Sequence, residues 1–230
     1  MDNFKIKPNP RRRFAKILNF ILLFVLAFCV IRVWTWEHRY YQRMEGSERS
    51  KSPVAGDIGA NRVDETDISK KAKNKHKVAA DLPRFLSIKR LKIRKARVFA
   101  MGAFSNGQLK SPNNIFDVAW YNGSDKPGKG GTSIFDGHNG GPTKIGVFKH
   151  LIDLTNEDII SIEMGNGKIY NYRVVDNRTI SLREADEQMS SLQVSPIPGK
   201  ESISLITCIG EWSAKQQTYL SRQFVRAVRI

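Results

Sequence analysis

Residues 82–230 contain short apolar runs of strand length separated by glycine- and asparagine-rich turns, and this pattern narrows the possible folds most. An apolar pattern with basic interruptions comes first, over 86–99, and is followed by runs at 118–121, 132–135, 159–164, 169–175, 202–208 and 224–230. Many short strands within about 150 residues predict a mainly β domain, built as a closed barrel or a sandwich.

Two kinds of local irregularity are visible in this domain. The apolar alternation changes parity between Ile93 and Val98, which predicts a β-bulge or a strand break. Only the segments 146–154 and 182–192 carry apolar residues on one helical face. We therefore predict two short helices beside the strands.

Residues 17–36 form the longest apolar run of the chain, with no polar side chain between Phe20 and Ile31. Twenty residues of helix rise about 30 Å, which is the thickness of the hydrocarbon core of a bilayer. Six basic residues precede the run, and this flank has no acidic residue between Asp2 and the run, so the positive-inside rule keeps the flank in the cytoplasm. We predict a cytoplasmic basic segment (1–16), one transmembrane signal anchor (17–36) and an extracytoplasmic remainder.

Other export signals fit this N-terminus less well. A cleaved signal peptide needs small residues shortly after the apolar run, and 32–41 offers none. A lipoprotein signal would use Cys29, but the bulky Phe28 precedes it. The stretch 11–16 fits a twin-arginine signal only loosely. An uncleaved anchor, which makes the chain a single-pass protein of the cell membrane, is the preferred prediction.

Residues 37–80 alternate in charge and have almost no apolar periodicity. Such a composition predicts a solvated, disordered stalk that lifts the domain of residues 81–230 off the membrane. The alternative is a charged surface helix over 63–78.

Composition and charge exclude several classes of protein. The chain has 230 residues, of which 40% are apolar, so wholesale disorder is excluded, and its two cysteines cannot form a disulfide scaffold. The formal net charge of +16 would ordinarily suggest nucleic acid. A nucleic-acid partner is disfavoured here, because the basic excess is divided by the apolar run and the β domain shows no basic helix.

Cys208 is the only cysteine after the apolar run, so it is either a buried apolar filler or a reactive thiol. The segment 205–210 ends an apolar strand and enters a polar, glycine-containing loop, where a reactive group is held rigidly yet stays reachable. A nucleophilic thiol also needs a partner that transfers protons.

His138 is the best candidate for that partner, because it ends a strand among small residues. His38 and His76 lie in the predicted stalk, where we expect exposed side chains. His150 lies in the predicted helix 146–154, where a surface or packing role is expected.

Seven short motifs occur in one order along residues 82–230. They are Trp-Tyr at 120–121, Lys-Pro-Gly-Lys-Gly-Gly at 126–131, Gly-His-Asn at 137–139, Phe-Lys-His-Leu-Ile-Asp-Leu at 148–154, Tyr-Asn-Tyr-Arg-Val at 170–174, Leu-Ile-Thr-Cys at 205–208 and Ser-Arg-Gln-Phe-Val at 221–225. Together with the predicted anchor, they resemble the sortases, membrane-anchored cysteine transpeptidases of bacterial cell walls. The resemblance implies a closed sortase-like β-barrel of about seven or eight strands with two or so short helices.

The resemblance also implies a role for four residues. Cys208 would be the nucleophile, His138 the acid and base, Arg222 the electrostatic partner and Thr207 a hydroxyl that contacts the substrate. The chemistry of acyl transfer agrees with these roles, since a thiolate attacks a carbonyl, an imidazolium protonates the departing amine and a guanidinium offers fixed donors to an oxyanion.

Three details qualify this transfer of roles. Asp136 precedes His138 by two residues, where sortases commonly have a small or apolar residue. Arg226 and Arg229 are the nearest alternatives to the arginine, but they lie deeper in the final strand. No cofactor is implied; some sortases bind calcium near the acids of 184–187, but carboxylates on one helix face are ordinarily just solvated.

Two functions from different classes follow. The leading hypothesis is a transpeptidase that cleaves a C-terminal sorting motif of secreted proteins through a thioacyl intermediate. It would transfer the acyl group to an amine of a peptidoglycan precursor or a pilin, with hydrolysis as a side reaction. The alternative is a non-catalytic, membrane-tethered β-barrel binding or assembly module, in which Cys208 is buried and unreactive.

Overall fold

The computed structural model describes residues 63–105, 107–213, 215 and 218–230. The eight strands are β1 (Pro83–Ile88), β2 (Ile93–Met101), β3 (Val118–Tyr121), β4 (Thr132–Gly137), β5 (Ile159–Met164), β6 (Ile169–Ser181), β7 (Ser202–Ser213) and β8 (Thr218–Arg229). The helices are α1 (Lys70–Lys75), α2 (Leu182–Gln188) and two 3-10 turns, Leu151–Asp153 and Met189–Gln193.

The strands close into a barrel in the order β1-β2-β3-β4-β7-β8-β6-β5. The pairs β2–β3 and β4–β7 are parallel and the other pairs are antiparallel. The predicted closed, mainly β barrel is therefore confirmed, with eight strands in the described chain. The β4–β7 pair matters most for the site, because it joins segments that are 70 residues apart in sequence.

Strands β4, β7 and β8 are buried on both faces over much of their length, which accounts for the apolar residues at successive positions in these strands. Residues such as Phe135 and Leu205 face the barrel interior and belong to the main core. Their neighbours Ile134, Ile206 and Phe224 form a second cluster on the outer face, under Ala185 of α2. The predicted helix at 182–192 is confirmed as α2 and the 3-10 turn that follows it.

The predicted irregularity in β2 is a β-bulge. Ile88 of β1 pairs with Ile93, whereas Leu86 pairs with Ala96, so β2 contains one more residue than β1 over this stretch. Lys95, inside the bulge, has φ +50°, a left-handed conformation in which the strand bends. The parity change that was visible in the sequence is thereby accounted for.

The helix predicted over 146–154 is wrong, and only the 3-10 turn Leu151–Asp153 forms there. The N–H groups of Gly146 and Phe148 donate to the carbonyls of Asn139 and His138 rather than to a helical turn. A Cβ on Gly146 would lie 2.3 Å from the His138 carbonyl oxygen, so this close approach of two backbones requires glycine.

The prediction of a solvated stalk does not hold for residues 63–80, which are bonded to the barrel. Asp64 forms a parallel bridge with Asn114, and the Lys73 ammonium donates to the carbonyl of Arg94 at 2.8 Å. The short helix α1 lies within the range of the alternative prediction of a charged surface helix. The other predicted stalk residues, 37–62, lie outside the described residues.

The predicted transmembrane anchor, residues 17–36, also lies outside the described residues, as does the basic segment 1–16. Within the part of the chain that the structure describes, the helices are all too short or too polar to cross a bilayer.

Candidate active site

Three neighbouring strands bring Cys208, Arg222 and His138 to one end of the barrel. Cys208 of β7 and Arg222 of β8 are direct cross-strand partners. Strand β4 runs parallel to β7 with Asp136 beside Ile206, so His138, one residue past the end of β4, is level with Cys208. Side chains alternate along a strand, and these three therefore leave the sheet on the same, outer face.

A second row of side chains lies one step below these three on the outer face. It consists of Asp136, Ile206 and Phe224, in strand order β4, β7 and β8. Ile206 and Phe224 belong to the outer apolar cluster. A carboxylate consequently sits beside two apolar side chains, one step below the three residues that the resemblance assigns to catalysis.

Thr207 faces the opposite way, into the barrel, with 2% of its surface exposed. Its hydroxyl donates to the Gly137 carbonyl at 2.8 Å. This bond ties the end of β4 to β7 immediately below the histidine and the cysteine. Thr207 thus makes a different contact from the substrate contact that the resemblance implies.

The Cys208 side chain is half-buried and is a free thiol. Burial raises the pKa of this thiol, the Arg222 guanidinium opposes the rise, and the Asp136 carboxylate adds to it. The thiol form is therefore favoured at neutral pH, and Arg222 is the group that favours the nucleophilic thiolate.

Arg222 is held by the first residues of its own strand, β8. Its Nη1 donates to the carbonyls of Tyr219 at 2.7 Å and Ser221 at 3.0 Å, and its Nη2 donates to Thr218 Oγ1 at 3.1 Å. These bonds use three of the five N–H donors of a guanidinium. The side chain is fixed in place, and it can still offer donors to a substrate oxygen beside Cys208.

His138 is held by the loop between β2 and β3. Its Nε2 lies 2.6 Å from the Pro112 carbonyl oxygen. The preceding residue, Ser111, donates its hydroxyl to Oδ2 of Asp136. Neither loop residue carries an apolar or charged signal that would mark it in the sequence, and both were missed by the sequence reasoning.

Asp136 lies within electrostatic reach of all three predicted catalytic residues. Burial raises the pKa of its carboxyl, while the bond from Ser111 and the charges of His138 and Arg222 oppose that rise. The carboxylate also disfavours ionisation of Cys208. The residue that departs from the usual sortase pattern is thus part of the electrostatics of the site.

The other described histidines lie elsewhere. His150 is exposed and its Nδ1 lies 2.9 Å from Asp153 Oδ2, in agreement with the expected surface role. His76 was expected to be an exposed residue of the stalk, but its ring packs edge-on against Phe85 and at a tilt against Phe99, with centroid distances of 5.6 and 4.8 Å. Burial accordingly lowers the pKa of His76.

The alternative arginines have other partners. Arg226 donates to the carbonyls of Ser191 and Val194, beside the second 3-10 turn. Arg229 donates to Glu201 at 2.9 Å, at the opposite end of the barrel from Cys208. Among the described residues, no three His, Cys, Asp or Glu side chains gather in a group that could hold a metal ion.

Comparison with known proteins gives one family and one fold. The sequence profile of the Sortase domain matches residues 86–230. No curated protein sequence matches the chain closely enough to count as a relative.

Solved structures of similar fold include three sortases of class C. A pilus-related sortase C of Group B Streptococcus shares 19% identity over 84% of this chain and 88% of its own, with a TM-score of 0.50. Sortase C of Streptococcus pneumoniae shares 17% over 84% and 87%, with a TM-score of 0.50. Sortase C-1 of Actinomyces oris shares 18% over 85% and 98%, with a TM-score of 0.50. At these identities the likeness shows the fold alone.

Proposed function

The chain belongs to the sortase family, and we propose that it is a cysteine transpeptidase that cleaves a C-terminal sorting motif of secreted proteins and transfers the acyl group to an amine. The acceptor is an amine of the cell wall or of a pilin, and hydrolysis is the side reaction. The observation that carries the proposal is the cross-strand pair of Cys208 and Arg222, with His138 level with them on the parallel neighbour strand.

The proposed reaction assigns one step to each group. The Cys208 thiolate attacks the scissile carbonyl carbon, and Arg222 donates to the oxyanion that forms. When the C–N bond breaks, the departing amine takes a proton from the His138 imidazolium, which leaves a thioester on Cys208. The acceptor amine then attacks the thioester and gives a proton to His138, and the thiolate leaves.

The test uses the full chain in detergent, a panel of sorting-motif peptides and an acceptor such as triglycine. We expect a thioacyl adduct on Cys208 by mass spectrometry, followed by the ligated peptide. Cys208→Ala should lose both, whereas the matched variant Cys29→Ser should keep both, since Cys29 lies in the predicted anchor.

Two results would contradict the proposal in different ways. Ligation by Cys208→Ala at the rate of the parent chain would show that another group is the nucleophile. A parent chain that binds peptides and never forms an adduct would favour the non-catalytic binding module.

We also propose that residues 17–36 anchor the protein with its N-terminus in the cytoplasm and the barrel outside. The support is the long apolar run with a basic flank before it. A phosphatase that is active only outside the cytoplasm, fused after Ile230, should be active in cells. An inactive fusion that is expressed at the same level would place the barrel in the cytoplasm.

A further inference from the structure

Two consecutive loop residues, Ser111 and Pro112, bind two side chains of the strand end that carries the histidine. The Ser111 hydroxyl donates to Asp136, and the Pro112 carbonyl oxygen lies 2.6 Å from Nε2 of His138. Asp136 and His138 are two residues apart, so both project from the outer face of β4. The turn therefore bridges the carboxylate and the imidazole, although the two side chains form no hydrogen bond with each other.

The Pro112 contact decides which nitrogen of His138 exchanges protons. A carbonyl oxygen only accepts hydrogen bonds, so Nε2 must carry the hydrogen in both the neutral and the charged ring. In the neutral ring Nδ1 then holds the lone pair. The proton that is gained and lost in acid–base chemistry is consequently the one on Nδ1.

The turn is tied down on both sides of Pro112. On its C-terminal side, the Asp64 N–H donates to the Asn113 carbonyl at 2.8 Å, and the Ile115 N–H donates to the Asp64 carbonyl at 3.0 Å. On its N-terminal side, the Ser111–Asp136 bond holds it. Pro112 itself is buried and has a restricted φ, which limits the ways the turn can rearrange.

We propose that Asp136 is a positioning residue for His138, which acts by holding the Ser111-Pro112 turn so that the Pro112 carbonyl fixes the imidazole with Nδ1 as the working nitrogen. The proposal rests on the acid–base role proposed for His138. It assigns a use to the carboxylate that departs from the usual sortase pattern. The charged or titratable groups that face Asp136 are His138 on its own strand, Cys208 on β7 and Arg222 on β8.

The test combines nitrogen NMR of the histidine ring with steady-state kinetics on the full chain. In the parent protein, neutral His138 should be the tautomer protonated at Nε2. Ser111→Ala and Asp136→Ala each break the bond, so each should give a mixture of tautomers and lower kcat roughly tenfold with KM nearly unchanged, a fraction of what acid–base catalysis supplies. Because the two variants break one shared link, the double variant should be no worse than either single one.

Conservative variants separate positioning from a general loss of structure. Ser111→Thr keeps a hydroxyl and Asp136→Asn keeps an acceptor oxygen, so both should retain the single tautomer. Ser105→Ala, an exposed serine of the same loop, is the matched control and should match the parent.

The outcomes distinguish this proposal from the proposed function. An unchanged tautomer and kcat in Ser111→Ala, or additive losses in the double variant, would overturn the positioning role. If Asp136→Ala fails to fold, Ser111→Ala and Ser111→Thr decide by themselves. A parent chain with the Nε2–H tautomer but no ligation with any peptide would count against the transpeptidase and leave the positioning of the His138 ring by Asp136 intact.

Discussion

The two ends of the barrel hold their charged groups in opposite ways. At the base, Glu201 lies just before β7 with 8% of its side chain exposed. Its Oε1 accepts bonds from the Gly128 N–H at 2.7 Å and the Tyr172 hydroxyl at 2.5 Å, and its Oε2 accepts from the Gly130 N–H at 3.1 Å and Arg229 at 2.9 Å. Every direction from which this carboxylate can accept is filled by the protein.

At the other end, the groups of the candidate site are placed near one another without being neutralised. Burial raises the pKa of both Cys208 and Asp136, so each is held in surroundings that disfavour its charged form. Three N–H donors of Arg222 bond to oxygen atoms of its own strand, β8, and not to Cys208 or Asp136. The hydrogen bonds at the base stabilise the fold, whereas the end with the candidate site keeps hydrogen-bond donors that, under the proposed function, a substrate would use.

The largest expected effect separates activity from stability at the catalytic end. Arg222→Gln removes the charge that opposes the raised pKa of Cys208, as well as the donors for the oxyanion. We expect acyl transfer to fall by roughly 100- to 1000-fold, as for loss of an oxyanion donor. The pH profile of Cys208 alkylation should shift to higher pH, because the pKa of the thiol rises further, while the melting temperature changes little.

Arg183→Gln, which removes an exposed arginine of α2, is the control and should leave both profiles unchanged. An alkylation profile that stays in place in Arg222→Gln would show that the guanidinium does not act on the thiol. The contrast between the two ends would then lose its main support.

At the base of the barrel we expect the opposite result, a loss of stability with activity kept. Glu201→Ala leaves the Tyr172 hydroxyl, two N–H groups and the Arg229 guanidinium without their acceptor, which should cost about 3 kcal/mol of unfolding free energy. For a domain of this size the melting temperature should fall by roughly 6–12 °C. Ligation at temperatures below the transition should be kept. Glu157→Ala, which removes an exposed ion pair with Arg173, should change the melting temperature very little.

Acid titration tests the same group independently. Burial raises the pKa of Glu201, but the bonds from Tyr172, the two glycine N–H groups and Arg229 outweigh it, so the net pKa lies below the ordinary value of 4.5. A depressed pKa contributes stability above pH 4.5 that is lost as the pH falls through the folded-state value. Glu201→Gln should therefore lose less stability than the parent protein between neutral pH and acid. Parallel curves would show that Glu201 carries no such linkage.

The sequence predicts this barrel well where buried strands show an apolar alternation. It predicts the barrel poorly where backbone hydrogen bonds determine the local structure. Six of the eight strands were predicted as separate apolar runs, whereas β1 and β2 were predicted as one pattern over 86–99 with a bulge or break inside it. Strand β6 continues through polar residues to Ser181 because β8 pairs with it from Tyr172 to Ser181. Residues 146–154 have a helical apolar pattern, but the N–H groups of Gly146 and Phe148 donate to the carbonyls of Asn139 and His138. These bonds depend on a close approach at Gly146 that no local pattern reveals.

The candidate site shows the same division. Cys208, His138 and Arg222 were picked from strand ends and from a family resemblance, and the register of β4, β7 and β8 brings them together. The contacts of Ser111 and Pro112 were not predictable, because they depend on how a polar loop folds back over β4. Support of a site by carbonyls leaves no mark on the side-chain pattern.

The smallest expected effect concerns the segment before the barrel, which is hydrogen-bonded to the loop after His138. Glu65 accepts bonds from the N–H groups of Thr143 and Lys144, both at 2.9 Å, in the loop that follows His138. Glu65→Gln weakens these bonds, so amide exchange in peptides covering 139–147 should rise severalfold, with ligation reduced less than about twofold. Asp67→Asn is the matched control, because Asp67 forms an ion pair with the Lys144 ammonium, at 3.0 Å, and is 80% exposed. Equal exchange in the two variants would mean that the bonds of Glu65 do not stabilise this loop. The position of His138 would then depend on the Ser111-Pro112 turn and the strands alone.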